Sequence, residues 1–119
     1  MENPVVYWEL ASQDAKKTTK FLQEVFGWVS EYDPESTIYE YPTGQSADLF
    51  SGGGVFTLRR AKLPFLTIYI KVKDIEQKAR LVQEHGGLII EAPFKINERT
   101  TICLFNEPSG VTLAMLEKE

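Results

Sequence analysis

The chain is poor in the residues from which most metal and thiol chemistry is built. Its 119 residues include one histidine, His85, and one cysteine, Cys103. A lone cysteine cannot close an intrachain disulfide, and its use here fits a reducing, cytoplasmic setting. A zinc site made of several His and Cys ligands cannot be assembled within one such chain. A Ser-His-Asp arrangement would have to be built on His85 alone. Positive charge is also scarce: 13 Lys+Arg against 17 Asp+Glu leave a formal charge of −4. That is the wrong sign for a nucleic-acid or anionic-membrane partner, and neither is expected. No apolar run approaches the ~20 residues of a membrane span. The opening Met1-Glu2-Asn3-Pro4 has neither the basic nor the apolar part of a secretion signal.

What the chain does have is core material. A hydrophobic fraction of 43% and an aromatic fraction of 12% suffice to fold a chain of this length as one domain. Residues 5–10 are β-branched and aromatic and read as a strand. Asp14 then caps a helix over residues 15–26, with Leu22, Val25 and Phe26 inward and Ala15 and Thr18 behind them. Gly27 stops that helix. Strands are expected at 28–32, 36–41 and 55–58, with a turn at Pro42-Thr43-Gly44. The pattern then restarts: a strand at 66–72, Asp74 as cap, a helix at 75–85 with Ile75, Ala79 and Val82 inward, and Gly86-Gly87. Strands at 88–90, 101–105 and 111–116 follow, the last after the turn Glu107-Pro108-Ser109-Gly110.

The restart is a repeat. A shift of 60 residues places Asp14 on Asp74, Gln23 on Gln83, Glu24 on Glu84, Gly27 on Gly87 and Glu31 on Glu91. Leu10 falls on Ile70, Phe21 on Leu81 and Leu22 on Val82. A cap, a helix end and a core stripe coincide at one offset, so the unit is β-α-β-β-β used twice, in modules of about 1–60 and 61–119. The class is α+β, with the helices on one sheet face and the other face free to line a cleft.

These residues resemble the vicinal-oxygen-chelate superfamily, which contains glyoxalase I, bleomycin-resistance proteins and extradiol dioxygenases. Phe21-Leu22-Gln23-Glu24-Val25-Phe26-Gly27-Trp28 resembles its "FY..vFGW" signature. Val72-Lys73-Asp74-Ile75 resembles its "V.Di" helix entry, and Asn106-Glu107-Pro108-Ser109-Gly110 its "DPdGn" turn. The nearest type is the small lactoylglutathione-lyase-related proteins. The resemblance implies two βαβββ modules forming a U-shaped mixed sheet around a cavity. It also implies a divalent metal held by side chains from the first and last strands of each module. Carried over, those positions are Tyr7, Thr67 by the repeat, Ala114 four residues after the turn glycine, and Leu58 by matching Gly54 to Gly110. Leucine and alanine offer no donor, and threonine and neutral tyrosine are poor ones, so no metal and no other cofactor is expected.

Strand alternation gives Tyr7 the company of Val5 and Glu9, Thr67 that of Tyr69 and Lys71, and Ala114 that of Thr112 and Leu116. Val6, Trp8, Leu10, Ile68, Ile70, Val72, Val111 and Leu113 then lie under the helices. Tyr7, Glu9, Leu58, Thr67, Tyr69 and Ala114 are the expected ligand-binding residues, unless this face is merely solvated. Glu9 and Tyr7 are the candidates for proton transfer, against a plain Glu9–Lys71 pairing. His85 suits a helix end, Cys103 a buried thiol, and Gly52-Gly53-Gly54 a loop or bulge before a strand, since it lacks the Lys-Ser/Thr of a phosphate cradle. Three functions stay open: a metal-independent lyase or isomerase acting on a small molecule, a protein that sequesters one, and an interaction subunit with a vestigial site. A homodimer is expected, both from the resemblance and because two four-stranded modules leave long edges to cover.

Overall fold

Both helices begin where a carboxylate can replace a missing backbone partner. In a computed structural model, which describes residues 2–41, 52–58 and 64–119, the order is β1 (Val5–Ser12), α1 (Ala15–Phe26), β2 (Glu31–Asp33), β3 (Ile38–Tyr41), β4 (Gly53–Thr57), β5 (Phe65–Lys71), α2 (Ile75–Glu84), β6 (Leu88–Lys95), β7 (Thr100–Asn106) and β8 (Thr112–Lys118). This is β-α-β-β-β twice. The expected turn at 42–44 lies outside the described residues. The chain divides into two compact units, Tyr7–Leu66 and Thr67–Glu119, the latter including the N-terminal residues through Val6. Pro4 is tied to that second unit through its carbonyl, which accepts from the Lys71 N–H at 2.8 Å.

The two units repeat one topology. In the first, the order is β2-β3-β4-β1, with β4 parallel to β1 and antiparallel to β3. In the second it is β5-β8-β7-β6, with β8 parallel to β5 and antiparallel to β7. Each module thus lays its last strand beside its first. The helix start repeats as well. Asp14 accepts from the Lys17 N–H and Asp74 from the Gln77 N–H, both at 3.2 Å. The first helical N–H of α1, on Ala15, donates to the Thr57 hydroxyl at 2.9 Å. Its equivalent 60 residues on, the Ile75 N–H, donates to Glu117 Oε1 at 3.0 Å, while Glu117 Oε2 accepts from the Asp74 N–H at 2.9 Å. A side chain at the end of each module's last strand therefore satisfies the orphan donors of that module's helix.

The helix ends differ. Gly27, at φ 72°, closes α1: its N–H donates to the Gln23 carbonyl at 2.9 Å, and the Trp28 N–H donates to the Leu22 carbonyl at 3.4 Å. In α2 the left-handed residue is Gly86, at φ 90°, with Gly86 N–H on Gln83 and Gly87 N–H on Val82, a Schellman closure. Gly86, not Gly87, plays the part of Gly27, and His85 is the C-cap rather than a helical residue.

Under α1 lies a core of Ala15, Tyr41 and Val55, with Trp8, Leu10, Leu22 and Tyr39 against it. Under α2 lie Val72, Ile75, Ala79, Cys103, Phe105 and Met115, with Ile70, Val82, Ile89 and Leu113. The assignment of Trp8, Leu10, Ile70, Val72 and Leu113 to the helix-covered faces holds. Val111 does not belong there: it precedes β8 and is exposed. On α1 the inward stripe is Ala15, Thr19 and Leu22. Val25 and Phe26 point outward, because Val25 is out of phase with that stripe and Phe26 is its last residue. Trp28 is not in a strand: β2 starts at Glu31, and the Trp28 ring instead packs on Phe26, Trp8 and Tyr41. β6 continues past residue 90 to Lys95, tolerating Pro93 because among the described residues it is an edge strand, paired with β7, and is bulged.

The close packing of β1 on β4 explains the glycines. Gly53 pairs with Trp8, and a Cβ there would overlap the indole ring. Gly53 and Gly54 are strand residues, not a loop leading into one.

Two outcomes follow in urea unfolding. Glu117→Ala lowers stability by about 1–2 kcal/mol, since two helix N–H groups lose a charged acceptor. Gly53→Ala costs roughly 1–3 kcal/mol by overpacking, and most of that cost disappears in a Trp8→Leu background.

Candidate functional site

Among the described residues, the sheet of the first unit has α1 on one face only. On the other, strand register sets one residue from each strand in a row: Glu31 of β2 pairs with Glu40 of β3, Glu40 with Gly54 of β4, and Gly54 with Glu9 of β1. Three of four positions are carboxylates, and the fourth has no side chain. Tyr7, two residues before Glu9, fills that gap. A Cβ at Gly54 would overlap the Tyr7 hydroxyl and stand 2.7 Å from Ile38 Cγ2. The phenol oxygen therefore lies flat on the β4 backbone, beside Ile38. Burial pushes the Tyr7 phenol well above the ordinary tyrosine range, and the charges of Glu9 and then Glu40 push it further. At neutral pH it is a neutral hydroxyl, able to donate one hydrogen bond and accept others.

Tyr7 and Glu9 thus share a face, as their spacing requires. Glu40 and Ile38 complete it, and sequence reasoning missed both. The signal available was the alternation Ile38-Tyr39-Glu40-Tyr41, which puts the tyrosines under α1 and Glu40 opposite.

Leu58 is elsewhere. It follows the end of β4, its N–H donates to the Ser12 carbonyl at 2.7 Å, and it borders a shallow groove of about 360 Å³ shared with Lys16, Tyr32, Tyr39 and Thr57. Nor is it the counterpart of Ala114. Tyr69 pairs with Ala114 as Glu9 pairs with Gly54, so the repeat offset of 60 makes Gly54 the equivalent of Ala114. Matching Gly54 to Gly110 displaced the register by four residues.

In the second unit, Thr67, Tyr69 and Ala114 share one face of β5 and β8, and all three are buried rather than solvated. The Thr67 hydroxyl donates to the Thr112 carbonyl at 2.9 Å. Ala114 pairs onward with Leu104, and Leu104 with Glu91, which occupies the place of Glu31 in the first row.

The metal implied by the resemblance can be tested on its donors. With the corrected register the four positions are Tyr7, Gly54, Thr67 and Ala114. Two have no donor atom, one hydroxyl is donated to a carbonyl, and the phenol is held protonated. A divalent cation needs carboxylate, imidazole or amide donors, and these residues do not fit one. Among the described residues no group of three His, Cys, Asp or Glu side chains is placed to hold a metal ion. Cys103 is fully buried and burial pushes its thiol up to about 11, with Glu76 adding to the shift, so it is unreactive at neutral pH. No helix among the described residues is long and apolar enough to cross a membrane.

The raised phenol gives an alkaline signature. The native state holds the Tyr7 proton more tightly than the unfolded chain does. Its contribution to stability is therefore full below about pH 10, the unfolded value, and is lost as pH rises beyond it. Denaturant melts above about pH 10 should show wild type losing stability more steeply than Tyr7→Phe.

The model of the Glyoxalase/Bleomycin resistance protein/Dioxygenase superfamily matches residues 5–115. A search of curated proteins by sequence finds no significant match. Solved structures with the same fold include a methylmalonyl-CoA epimerase from Streptomyces coelicolor in complex with 2-nitronate-propionyl-CoA, at TM-score 0.64, 12% identity and 99% coverage of both chains. The methylmalonyl-CoA epimerase from Mycobacterium tuberculosis gives 0.66 and 13%, over 98% of this chain and 88% of that one. A protein described as NAD-dependent benzaldehyde dehydrogenase from Legionella pneumophila gives 0.67 and 11%, over 95% and 98%. At these identities the likeness establishes the fold alone. Two βαβββ modules in the right order and a family match over nearly the whole length lead to one conclusion: the chain belongs to the Glyoxalase/Bleomycin resistance protein/Dioxygenase superfamily.

Proposed function

We propose that this chain binds a small molecule carrying a cationic amine, on the face of the first module that holds Tyr7, Glu9 and Glu40, and that binding does not run through a metal. The observation that carries the reading is the phenol of Tyr7 placed over Gly54 with Glu9 and Glu40 acting on it. Glu9 and Glu40 both act on the Tyr7 hydroxyl from the same face, and an ammonium beside that hydroxyl would meet the attraction of both. The neutral hydroxyl of Tyr7 adds an oriented hydrogen bond, and its ring a face that tolerates a cation. Glu9 by itself offers a cation a single carboxylate. Glu40, placed in the same row on the far side of Gly54 by the β3–β4–β1 register, adds a second carboxylate to that face. Within the superfamily this corresponds to sequestration of a ligand rather than to a metal-assisted reaction.

Matched probes test the reading by calorimetry: a panel of primary aromatic amines, such as tryptamine, against the corresponding carboxylates, such as indole acetate. The amines should bind and the carboxylates should not. Glu9→Gln and Glu40→Gln should each weaken the amine by about tenfold, or about 1.4 kcal/mol. A chelator should leave binding unchanged. Equal binding of the carboxylates, no binding of any amine, or loss of binding on chelation would contradict the reading.

A further inference from the structure

The carboxylates on the open face of the first unit stand in a line. Register runs Glu31, Glu40, Gly54 and Glu9 across β2, β3, β4 and β1, one residue from each strand. Neighbouring strands lie about 4.8 Å apart, so the row from Glu31 to Glu9 is about 14 Å long. A compact divalent ion needs several oxygens gathered around one point, at about 2.0–2.6 Å. Among the described residues no three His, Cys, Asp or Glu side chains are gathered in that way. A line of separated negative charges is complementary to positive charge that is itself drawn out along a chain. Exposure is graded along the line. Glu9 is half-buried, whereas Glu40 and Glu31 are exposed. One end of an extended ligand would be held close to the sheet and the other would run outward over β2.

The row also sets a distance. The Tyr7 hydroxyl occupies the place over Gly54, beside Ile38, and an ammonium next to it lies between Glu9 and Glu40. The interval between Glu40 and Glu31 again has a carboxylate on either side. From Gly54 to the middle of that interval is one and a half strand spacings, about 7 Å. An extended alkyl chain with bonds of about 1.5 Å advances about 1.25 Å per bond, so about five methylenes between two nitrogens span it. The matching row of the second unit, Tyr69, Ala114, Leu104 and Glu91, has a single carboxylate and no such pair of intervals. We infer, resting on the proposed amine site, that its ligand is a linear aliphatic diamine or polyamine laid across β4, β3 and β2, with one ammonium beside Tyr7 and the next between Glu40 and Glu31. Glu31, which a ligand with a single charge beside Tyr7 does not reach, selects for the second charge.

The test is calorimetry at low ionic strength, where exposed charges are least screened. The probes are 1,5-diaminopentane and 5-aminopentan-1-ol, which keeps the length and one charge but lacks the second. The diamine should bind about fivefold more tightly than the amino alcohol. Glu31→Gln, at an exposed position whose fold can be verified by circular dichroism, should remove that advantage and leave the amino alcohol unchanged. Glu9→Gln should weaken both probes. Equal binding of the two probes by wild type, or an advantage that survives Glu31→Gln, overturns the inference while leaving the amine site in place. Failure of both probes while tryptamine binds has the same meaning. Failure of all three overturns the amine site and the inference together.

Discussion

The backbone of β4 supports an aromatic side chain of β1 on each of its two faces. Trp8 lies against Gly53 on the α1 side, and Tyr7 lies against Gly54 on the other. Any side chain at either position would occupy space those aromatics already fill. This double contact sets the depth at which Trp8 enters the core beside Tyr41 and Val55. On the opposite face the same contact lays the Tyr7 hydroxyl in the row of Glu9 and Glu40. One pair of glycines thus joins the packing of the first module to the chemistry of its open face.

The second module keeps the plan and changes the contents. Where the first has Glu9 beside Gly54, the second has Tyr69 beside Ala114, and where the first has Glu40, the second has Leu104. The helix cap also varies on one plan, from the Thr57 hydroxyl to the Glu117 carboxylate. In the β7–β8 turn, Glu107 stands at the acidic position of the related motif. Its carboxyl lies below the usual carboxylate range, held there by the Ser109 hydroxyl and then by the N–H groups of Val111 and Ser109. Structural devices are thus preserved across the repeat, while the polarity of the open face is concentrated in the first module.

Much of this was legible in the sequence, and what was not has physical reasons. The start of each helix could be read because a cap is a local interaction, settled within three residues of Asp14 and Asp74. The modules could be read because caps, glycines and apolar stripes recur at one offset. The position of Leu58, and the place of Glu40 in the row of Glu9, could not, although alternation along β3 gives the face of Glu40. Both depend on how β4 registers against β1 and β3, a non-local pairing that glycine spacing alone does not fix. Val25 and Phe26 read as core because they are apolar and lie within one turn of Leu22, although the stripe that meets the sheet is only Ala15, Thr19 and Leu22. Trp28 read as strand because aromatic residues favour strands, but its ring is used to close the end of α1 over Trp8 and Tyr41.

The dependence of the site on β4 can be observed directly by proton NMR, through nuclear Overhauser contacts from the two aromatic rings. The account predicts contacts from the Tyr7 ring to the Gly54 α-protons and an Ile38 methyl, and from the Trp8 indole to the Gly53 α-protons. Contacts from the Tyr7 ring to Gly53 or to side chains of α1 would contradict it, because the phenol would then lie in the core and not beside Glu9 and Glu40.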